Sequence, residues 1–281
     1  MCGLVGLYQK EGEALQRIFD GLIQVQHRGQ DAGGICTLQS GKINTHKELG
    51  LISEIFRNID INILKGNIGI GHVRYPTAGT DNVNEAQPFH TTNPINIALA
   101  HNGTLTNSDE IKAKLTKLNF CQFNTNSDSE VLLNLLSYEL FKTNKNEFSN
   151  TDILDVLKRI FNQCQGGYAV VALISGIGLV AFRDPNGIRP LALGKNHNGS
   201  YLLASESSAI TSLGFEVLKD VKPGEAIIIN CDGSLEEKHL IKDMQHTPCL
   251  FEYVYFSRPD STIDSISCLL YTSPSPRDMW T

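Results

Sequence analysis

The chain has 281 residues, of which 41% are hydrophobic and 19% are charged, and its formal net charge at pH 7 is -6. This is an ordinary globular composition, and the acidic balance argues against the broad basic face that binding to nucleic acid requires. Apolar runs fall short of the ~18–20 residues that span a bilayer, and the amino terminus lacks the basic and apolar stretches of a signal peptide. A cytoplasmic protein without a nucleic-acid or membrane partner is therefore expected.

Seven cysteines are scattered along the chain. They form no CxxC pair, and no His/Cys cluster has the spacing of zinc ligands. The sequence predicts neither a disulfide framework nor a metal site.

The first half of the sequence alternates short apolar segments with amphipathic ones. Apolar residues recur at helical spacing over residues 13–26, 108–118 and 128–141, and each segment opens near a residue that can cap a helix. Shorter apolar runs bounded by Gly, Asn or Pro predict strands over residues 4–7, 34–38, 68–73 and 97–101.

In the second half, a helix is predicted over residues 152–161 and a hairpin over residues 168–182, turning at Gly176-Ile177-Gly178. Further strands are predicted over residues 201–204 and 226–230. Hairpins imply mainly antiparallel sheets, and two groups of strands separated by helices imply stacked sheets with helices outside. The expected class is α+β.

The last fourteen residues do not follow these patterns. Residues 268–281 read CLLYTSPSPRDMWT, with two Ser-Pro steps and no periodicity. The interpretation is a domain over residues 1–267 followed by a tail of foreign origin; the alternative is a disordered natural terminus.

Cys2 is the most informative candidate for chemistry, because removal of Met1 would place a thiol and a free α-amino group on one residue. An α-amine titrates near pH ~7.7–8.0 and a thiol near ~8.5, so the amine could take the thiol's proton at neutral pH. The alternative is a small buried residue entering a strand.

Asn102 and Gly103 follow the predicted strand at residues 97–101 and could stabilise an oxyanion. The Asn side chain can donate from its NH₂ group, and glycine lets a backbone N–H approach closely. Asn-Gly is also a common turn, and that alternative stays open here.

Two charged residues could bind an amino-acid substrate, which needs a cation for its α-carboxylate and an anion for its α-ammonium. Arg74 follows a strand in the segment GHVRYPTAG, and Asp128 lies in NSDSE. Arg28 lies in QHRGQDAGG, a polar loop that could close over Cys2. The alternatives are a surface charge for Arg74, a helix cap for Asp128 and a solvated connection for Arg28.

Several long blocks occur in the order of a known family and extend to about residue 267. The chain resembles the glutaminase domain of glutamine phosphoribosylpyrophosphate amidotransferases in the following segments: MCGLVGLY, QHRGQDAGG, GNIGIGHVRYPTAGT, EAQPF, LAHNGTLTN, SDSEVLLN, VAFRDPNGIRPLALG, ASESSA, VKPGEAI and CLFEYVYFSRPDS.

The resemblance implies a four-layer αββα sandwich of the N-terminal-nucleophile hydrolase kind, with Cys2 as nucleophile. It implies that Asn102 and Gly103 form the oxyanion hole and that Arg74 and Asp128 bind glutamine. Arg28, near the nucleophile, is grouped with the substrate-binding residues. The implied partners are L-glutamine, phosphoribosyl pyrophosphate through a second domain, and further copies of the full-length protein in a homo-oligomer.

The family's phosphoribosyltransferase half does not appear in this sequence, so only glutamine hydrolysis is expected of it. The Mg²⁺ that the resemblance implies belongs to that half, and no cofactor is expected here. The alternatives are the glutaminase domain of a glucosamine-phosphate synthase or asparagine synthetase type, which share MCG, an RG-containing loop and HNG, or a catalytically silent interaction module.

Overall fold

The computed structural model describes residues 2–75, 82–242 and 244–272, with only the backbone of residues 271 and 272. Its strands are β1 (Gly3–Tyr8), β2 (Ala32–Gln39), β3 (Lys42–Leu49), β4 (Ile68–Arg74), β5 (Phe89–Thr91), β6 (Ile97–Leu105), β7 (Gly166–Ile174), β8 (Gly178–Arg183), β9 (Ala192–Lys195), β10 (Tyr201–Ala204), β11 (Glu216–Asp220), β12 (Glu225–Asn230), β13 (Leu235–His239), β14 (Thr262–Ile263) and β15 (Ile266–Ser267). Its α-helices are α1 (Leu15–Gln24), α2 (Ile52–Ile55), α3 (Ser108–Lys117), α4 (Asp128–Phe141), α5 (Asn150–Gln163), α6 (Ser207–Ser212) and α7 (Leu269–Thr272).

Two antiparallel sheets form the centre of the fold. The first has the order β11-β9-β10-β1-β4-β2-β3, and the second has the order β13-β12-β8-β7-β6-β5. The amino-terminal strand β1 is central in the first sheet, paired with β10 on one side and β4 on the other. Because β1 is flanked on both sides, the residue that precedes it is held by the sheet rather than left at a free chain end.

The core is divided into three apolar layers, one between the sheets and one under each group of helices. Leu4 of β1 and Val171 of β7 belong to the layer between the sheets. Val5 packs with Ile18 of α1 on the outer face of the first sheet, while α4 and α5 cover the second sheet through the cluster that contains Val170. Successive residues of a strand face opposite sides, so strands buried on both faces read as continuous apolar runs. The predicted αββα architecture is confirmed.

Most predicted elements are present, with boundaries that shift by a few residues. The helix predicted over residues 128–141 is α4 with the same bounds, and Ser127 caps it by accepting a hydrogen bond from the Ser129 backbone. The strand predicted over residues 97–101 was too short, because β6 continues to Leu105. The strands β3, β11 and β13 were not predicted. Each lies at the edge of a sheet and carries many exposed polar residues, so it lacks an apolar signature.

The end of the chain is described only in part. Cys268 is buried beside Tyr253 and Ile263, and residues 273–281 lie outside the described residues. The boundary predicted after residue 267 stays a prediction. Across the described ranges, none of the helices is long and apolar enough to cross a membrane.

Candidate active site

The two sheets bring Cys2 and Asn102 into contact. Cys2 immediately precedes β1 of the first sheet, and Asn102 lies in β6 of the second. The backbone nitrogen of Cys2 donates to Oδ1 of Asn102 at 3.2 Å. This contact orients the Asn102 amide, because its oxygen is taken by Cys2 and its NH₂ group is turned elsewhere.

The NH₂ group of Asn102 is buried and makes no hydrogen bond within the described residues. Buried amide donors normally have a partner. The turn interpretation of Asn102-Gly103 was wrong, since both residues pair with β7, at Ala169 and Tyr168. Gly103 has φ +147°, and a Cβ there would lie 2.0 Å from the carbonyl oxygen of Gly167. Only glycine therefore fits beside the unpaired donor.

The Cys2 thiol is in a buried and electrostatically mixed environment. Burial raises its pKa, while the positive amino terminus, the backbone N–H of Tyr75 and the charge of Arg74 act in the opposite direction; Asp128 raises it further. The net direction is upward, so a nearby base is needed to generate the thiolate, which is the nucleophilic form.

Arg28 lies behind Cys2 rather than in a solvated loop. It is fully buried in a 3₁₀ turn, Gln26–Arg28. Its Nε donates to the carbonyl oxygen of Cys2 at 3.1 Å, its Nη1 donates to Glu206 at 2.7 Å, and its Nη2 donates to Glu252. The solvated-connection alternative was wrong. Arg28 does not line the cavity described next, so its geometry suits positioning of Cys2 rather than substrate contact.

A cavity of about 400 Å³ opens beside Cys2. Arg74, Asp128, Gly103 and Arg189 contribute to its walls. Arg74 is the last residue of β4, and its Nη2 donates to Glu85 at 2.5 Å. The sheets thus place a cation and an anion around Cys2. Residues 76–79 of the predicted GHVRYPTAG segment lie outside the described residues.

Asp128 has two roles in the local structure. It is the first residue of α4, and its Oδ2 accepts a hydrogen bond from the Leu105 backbone at 2.9 Å. Its Oδ1 lies 3.8 Å from Nδ1 of His101. The side chain is about one quarter exposed, at 23%, so the carboxylate is fixed at the cavity wall while remaining accessible from it.

Two buried histidines near Cys2 do not form a Cys/His dyad. Burial lowers the pKa of His72 to about 3, and burial also lowers the pKa of His101. The His101 ring contacts Ser129 Oγ at 3.1 Å. Among the described contacts, neither ring is hydrogen-bonded to Cys2. Both rings are therefore neutral parts of the framework at ordinary pH.

Several residues of the site were not assigned a role from the sequence. These are Glu85, Gln87, Arg189, Glu206 and Glu252, of which Gln87 makes hydrogen bonds with both backbone groups of His101 at 2.7 and 3.2 Å. They occur in the quoted blocks EAQPF, VAFRDPNGIRPLALG, ASESSA and CLFEYVYFSRPDS. A polar or charged residue in such a block was the available signal, but the partner of that residue could not be read from the sequence.

A larger cavity of about 660 Å³ lies at the edge of the sandwich, between β3 and β5. It contains Glu130, but that carboxylate already accepts hydrogen bonds from the Asn124 and Thr125 backbones. The smaller cavity is therefore the better candidate, since it is lined by Cys2 and by Arg189, whose Nε is buried without a hydrogen bond within the described residues. In the part of the chain that the structure describes, no group of three or more His, Cys, Asp or Glu residues could hold a metal ion.

Comparison with known proteins agrees with this geometry. Residues 72–212, about half of the chain, match the family described as "Glutamine amidotransferase domain". The chain belongs to this family. The amidotransferase domain is 47% identical over 271 residues to the amidophosphoribosyltransferase of Pasteurella multocida and 47% identical over 272 residues to that of Escherichia coli. Each alignment covers 95% of the chain and 54% of the relative.

The fold is also similar to a solved structure. Glutamine phosphoribosylpyrophosphate amidotransferase from B. subtilis, complexed with ADP and GMP, superposes with a TM-score of 0.82 at 36% sequence identity, over 95% of this chain and 55% of that one. The amidotransferase domain thus spans about half the length of the relatives it matches and is homologous to their amino-terminal half. These relatives are of the phosphoribosyl type rather than the glucosamine-phosphate or asparagine type.

Proposed function

We propose that this domain hydrolyses the side-chain amide of L-glutamine with Cys2 as nucleophile. The observation that carries the proposal is the buried, unpartnered NH₂ group of Asn102, whose own oxygen is bonded to the Cys2 backbone. A donor kept free next to a nucleophile is what an oxyanion hole requires. Gly103, at the cavity wall, would add its backbone N–H.

The reaction begins after removal of Met1, when the α-amine of Cys2 takes the proton of its thiol. The sulfur attacks the amide carbon, and Asn102 and Gly103 stabilise the charge on the oxygen. The protonated amine then gives its proton to the departing nitrogen, and ammonia leaves a γ-glutamyl thioester. Water attacks the thioester, which releases glutamate and returns the thiol. Arg28 holds the Cys2 carbonyl throughout.

Substrate recognition would depend on the two charges in the cavity. Arg74 would bind the α-carboxylate of glutamine, because a guanidinium can donate two parallel hydrogen bonds to a carboxylate. Asp128 would bind the α-ammonium. Both side chains are partly buried, at 12% and 23% exposure, and desolvation strengthens such contacts.

In the whole protein, the ammonia would serve a second half like that of the relatives. There it would displace pyrophosphate from phosphoribosyl pyrophosphate and give phosphoribosylamine, the first step of purine synthesis, in a cytoplasmic homo-oligomer. The Mg²⁺ implied by the resemblance would belong to that half. We assign residues 1–267 to the glutaminase domain and residues 268–281 to a foreign tail.

The test is glutamine-dependent release of ammonia, combined with mass spectrometry of the amino terminus. We expect a chain that begins at Cys2, hydrolyses glutamine, and is labelled on Cys2 by a glutamine-mimicking diazoketone. Cys2→Ala should abolish release and labelling, whereas Cys231→Ser, at an exposed cysteine, should not. A processed, folded chain without activity would support the silent interaction module instead.

A further inference from the structure

The carboxylate of Glu252 lies between two arginines of the candidate site. Glu252 is 1% exposed and is the first residue of a short π-helical turn, Glu252–Phe256. Its Oε2 accepts a hydrogen bond from Nη2 of Arg28, and its Oε1 accepts one from Nη1 of Arg189 at 3.3 Å. A buried carboxylate with one arginine on each oxygen is fixed in place, since loss of either contact would leave a buried charge poorly paired.

The contact with Arg28 extends to the nucleophile. Arg28 uses its third nitrogen, Nε, to hold the Cys2 carbonyl at 3.1 Å, and it has no exposed surface. The guanidinium is planar and rigid. A shift of the Glu252 carboxylate would therefore displace a guanidinium that Glu206 also holds, and with it the Nε contact to the Cys2 backbone.

The contact with Arg189 extends to the cavity. Arg189 lines the cavity together with Cys2, and its Nε is buried without a hydrogen bond inside the described ranges. Glu252 thus holds one arginine behind the nucleophile and another at the wall in front of it. Glu206 also binds Arg28, but it accepts hydrogen bonds from the Arg258 backbone and Ser261 as well, so it serves the packing of the whole segment.

We infer that Glu252 is a positioning residue for the Cys2 nucleophile, so that the segment near the carboxyl end of the domain completes the active site. The inference rests on the proposed glutaminase function. Glu252 does not line the cavity, so it acts through Arg28 and Arg189 rather than through the substrate. Accurate placement of a nucleophile affects the chemical step more than ground-state binding, so removal of Glu252 should lower kcat rather than raise KM.

The experiment compares the wild-type chain with Glu252→Gln and Glu252→Asp. Glutamine places an NH₂ donor against one arginine donor, while aspartate keeps the charge on a side chain one methylene shorter. We measure kcat and KM for glutamine, with kcat expressed per Cys2 that the diazoketone labels at completion. This normalisation removes the effect of lower stability in a variant, because unfolded chains are not counted.

For Glu252→Gln we expect kcat per labelled Cys2 to fall by about 10- to 100-fold, since a displacement of about 1 Å at a reacting group can cost about 100-fold. KM should change little, and Glu252→Asp should recover part of kcat. Asp260→Asn is the matched control, because it removes an exposed ion pair with Arg258 from the same segment, and it should behave as wild type. Wild-type kcat per labelled site in both Glu252 variants would overturn the inference.

Labelling of Cys2 by iodoacetamide, which needs no glutamine, separates this inference from the proposed function. A wild-type chain that is labelled but releases no ammonia would contradict the glutaminase proposal. In that case a changed rate of Cys2 labelling in Glu252→Gln would still support positioning by Glu252, and an unchanged rate would contradict it.

Discussion

The backbone nitrogen of Cys2 and the side-chain oxygen of Asn102 are joined by a 3.2 Å hydrogen bond between residues that lie in different sheets. The bond fixes the orientation of the Asn102 amide, with its oxygen toward Cys2. It also means that the future α-amine of Cys2 is held by the residue proposed to stabilise the oxyanion. Base and oxyanion donor therefore have a fixed relative position before substrate binds.

Replacement of Asn102 by aspartate removes the proposed donor and keeps the shape and the oxygen that faces Cys2. We expect kcat for glutamine hydrolysis to fall by about 100- to 1000-fold, as for other oxyanion-hole donors, with a smaller change in KM. Steady-state assays of ammonia release measure this. Asn230→Asp, at the end of β12, where the side chain makes an exposed hydrogen bond to Ser234, is the control, and normal turnover in Asn102→Asp would contradict the assignment.

Gly103→Ala should destabilise the fold. The new Cβ would meet the Gly167 carbonyl oxygen at 2.0 Å on a backbone with φ +147°. We expect the free energy of unfolding to fall by more than about 2 kcal/mol, since backbone strain and overpacking each cost about 1–3 kcal/mol. Urea unfolding measures this free energy. Gly176 also has a positive φ, +82°, but no atom lies within 4 Å of its Cβ position. Gly176→Ala should therefore lower the free energy of unfolding by less than Gly103→Ala does.

Asp128→Asn should weaken glutamine binding and leave the helix intact. The amide oxygen can still accept the Leu105 N–H, which Asp128 binds at 2.9 Å, but the charge that would face the substrate ammonium is lost. We expect KM to rise by roughly 10- to 100-fold, because a hydrogen bond to a charged group contributes about 1.5–3 kcal/mol. Asp109→Asn, in the first turn of α3, loses a comparable helix-end charge and should keep the wild-type KM.

Arg74→Lys should also raise KM, although the charge is kept. A lysine cannot replace the planar fork that binds a carboxylate with two parallel hydrogen bonds. We expect an increase of about tenfold, the equivalent of about 1.4 kcal/mol. The exposed Arg57→Lys serves as control. An equal KM for Arg74→Lys and wild type would show that Arg74 does not bind the substrate carboxylate bidentately.

Because of Glu206, the free energy of unfolding of the domain should depend on pH in the acid range. Burial raises the pKa of Glu206, but the His27 hydrogen bond and the charge of Arg28 outweigh burial and bring it to about 2, below its ordinary 4.5. A depressed folded-state pKa means that stabilisation is present above pH ~4.5 and is lost as the pH falls toward ~2. The contribution is on the order of 3 kcal/mol, at about 1.4 kcal/mol per pKa unit.

Urea unfolding of wild type and Glu206→Gln between pH 3 and 7 tests this, with both variants measured in one buffer series. We expect the two free energies of unfolding to differ most at neutral pH and to converge as the solution is acidified. A constant difference over the whole range would mean that ionised Glu206 is not the source of the stability.

Local patterns predicted the elements in which buried apolar residues recur at a regular spacing. The helix α4 was predicted with its observed bounds because one strongly apolar segment begins at a clear cap, Ser127. The local Asn-Gly signal at residues 102–103 pointed to a turn and was overridden, since pairing with β7 satisfies the backbone there. The residues around a strand do not show which distant strand it will pair with.

The sequence by itself determined the fold class and the residue types of the candidate site: a cysteine behind Met1, an Asn-Gly pair, and two residues of opposite charge. Only the tertiary structure decided what Arg28 does. Its two carboxylate partners, Glu206 and Glu252, are 178 and 224 residues away, and no spacing rule connects them. A buried arginine must find counter-charges wherever the packed chain places them, so the role of such a residue depends on how the sheets and the final segment come together.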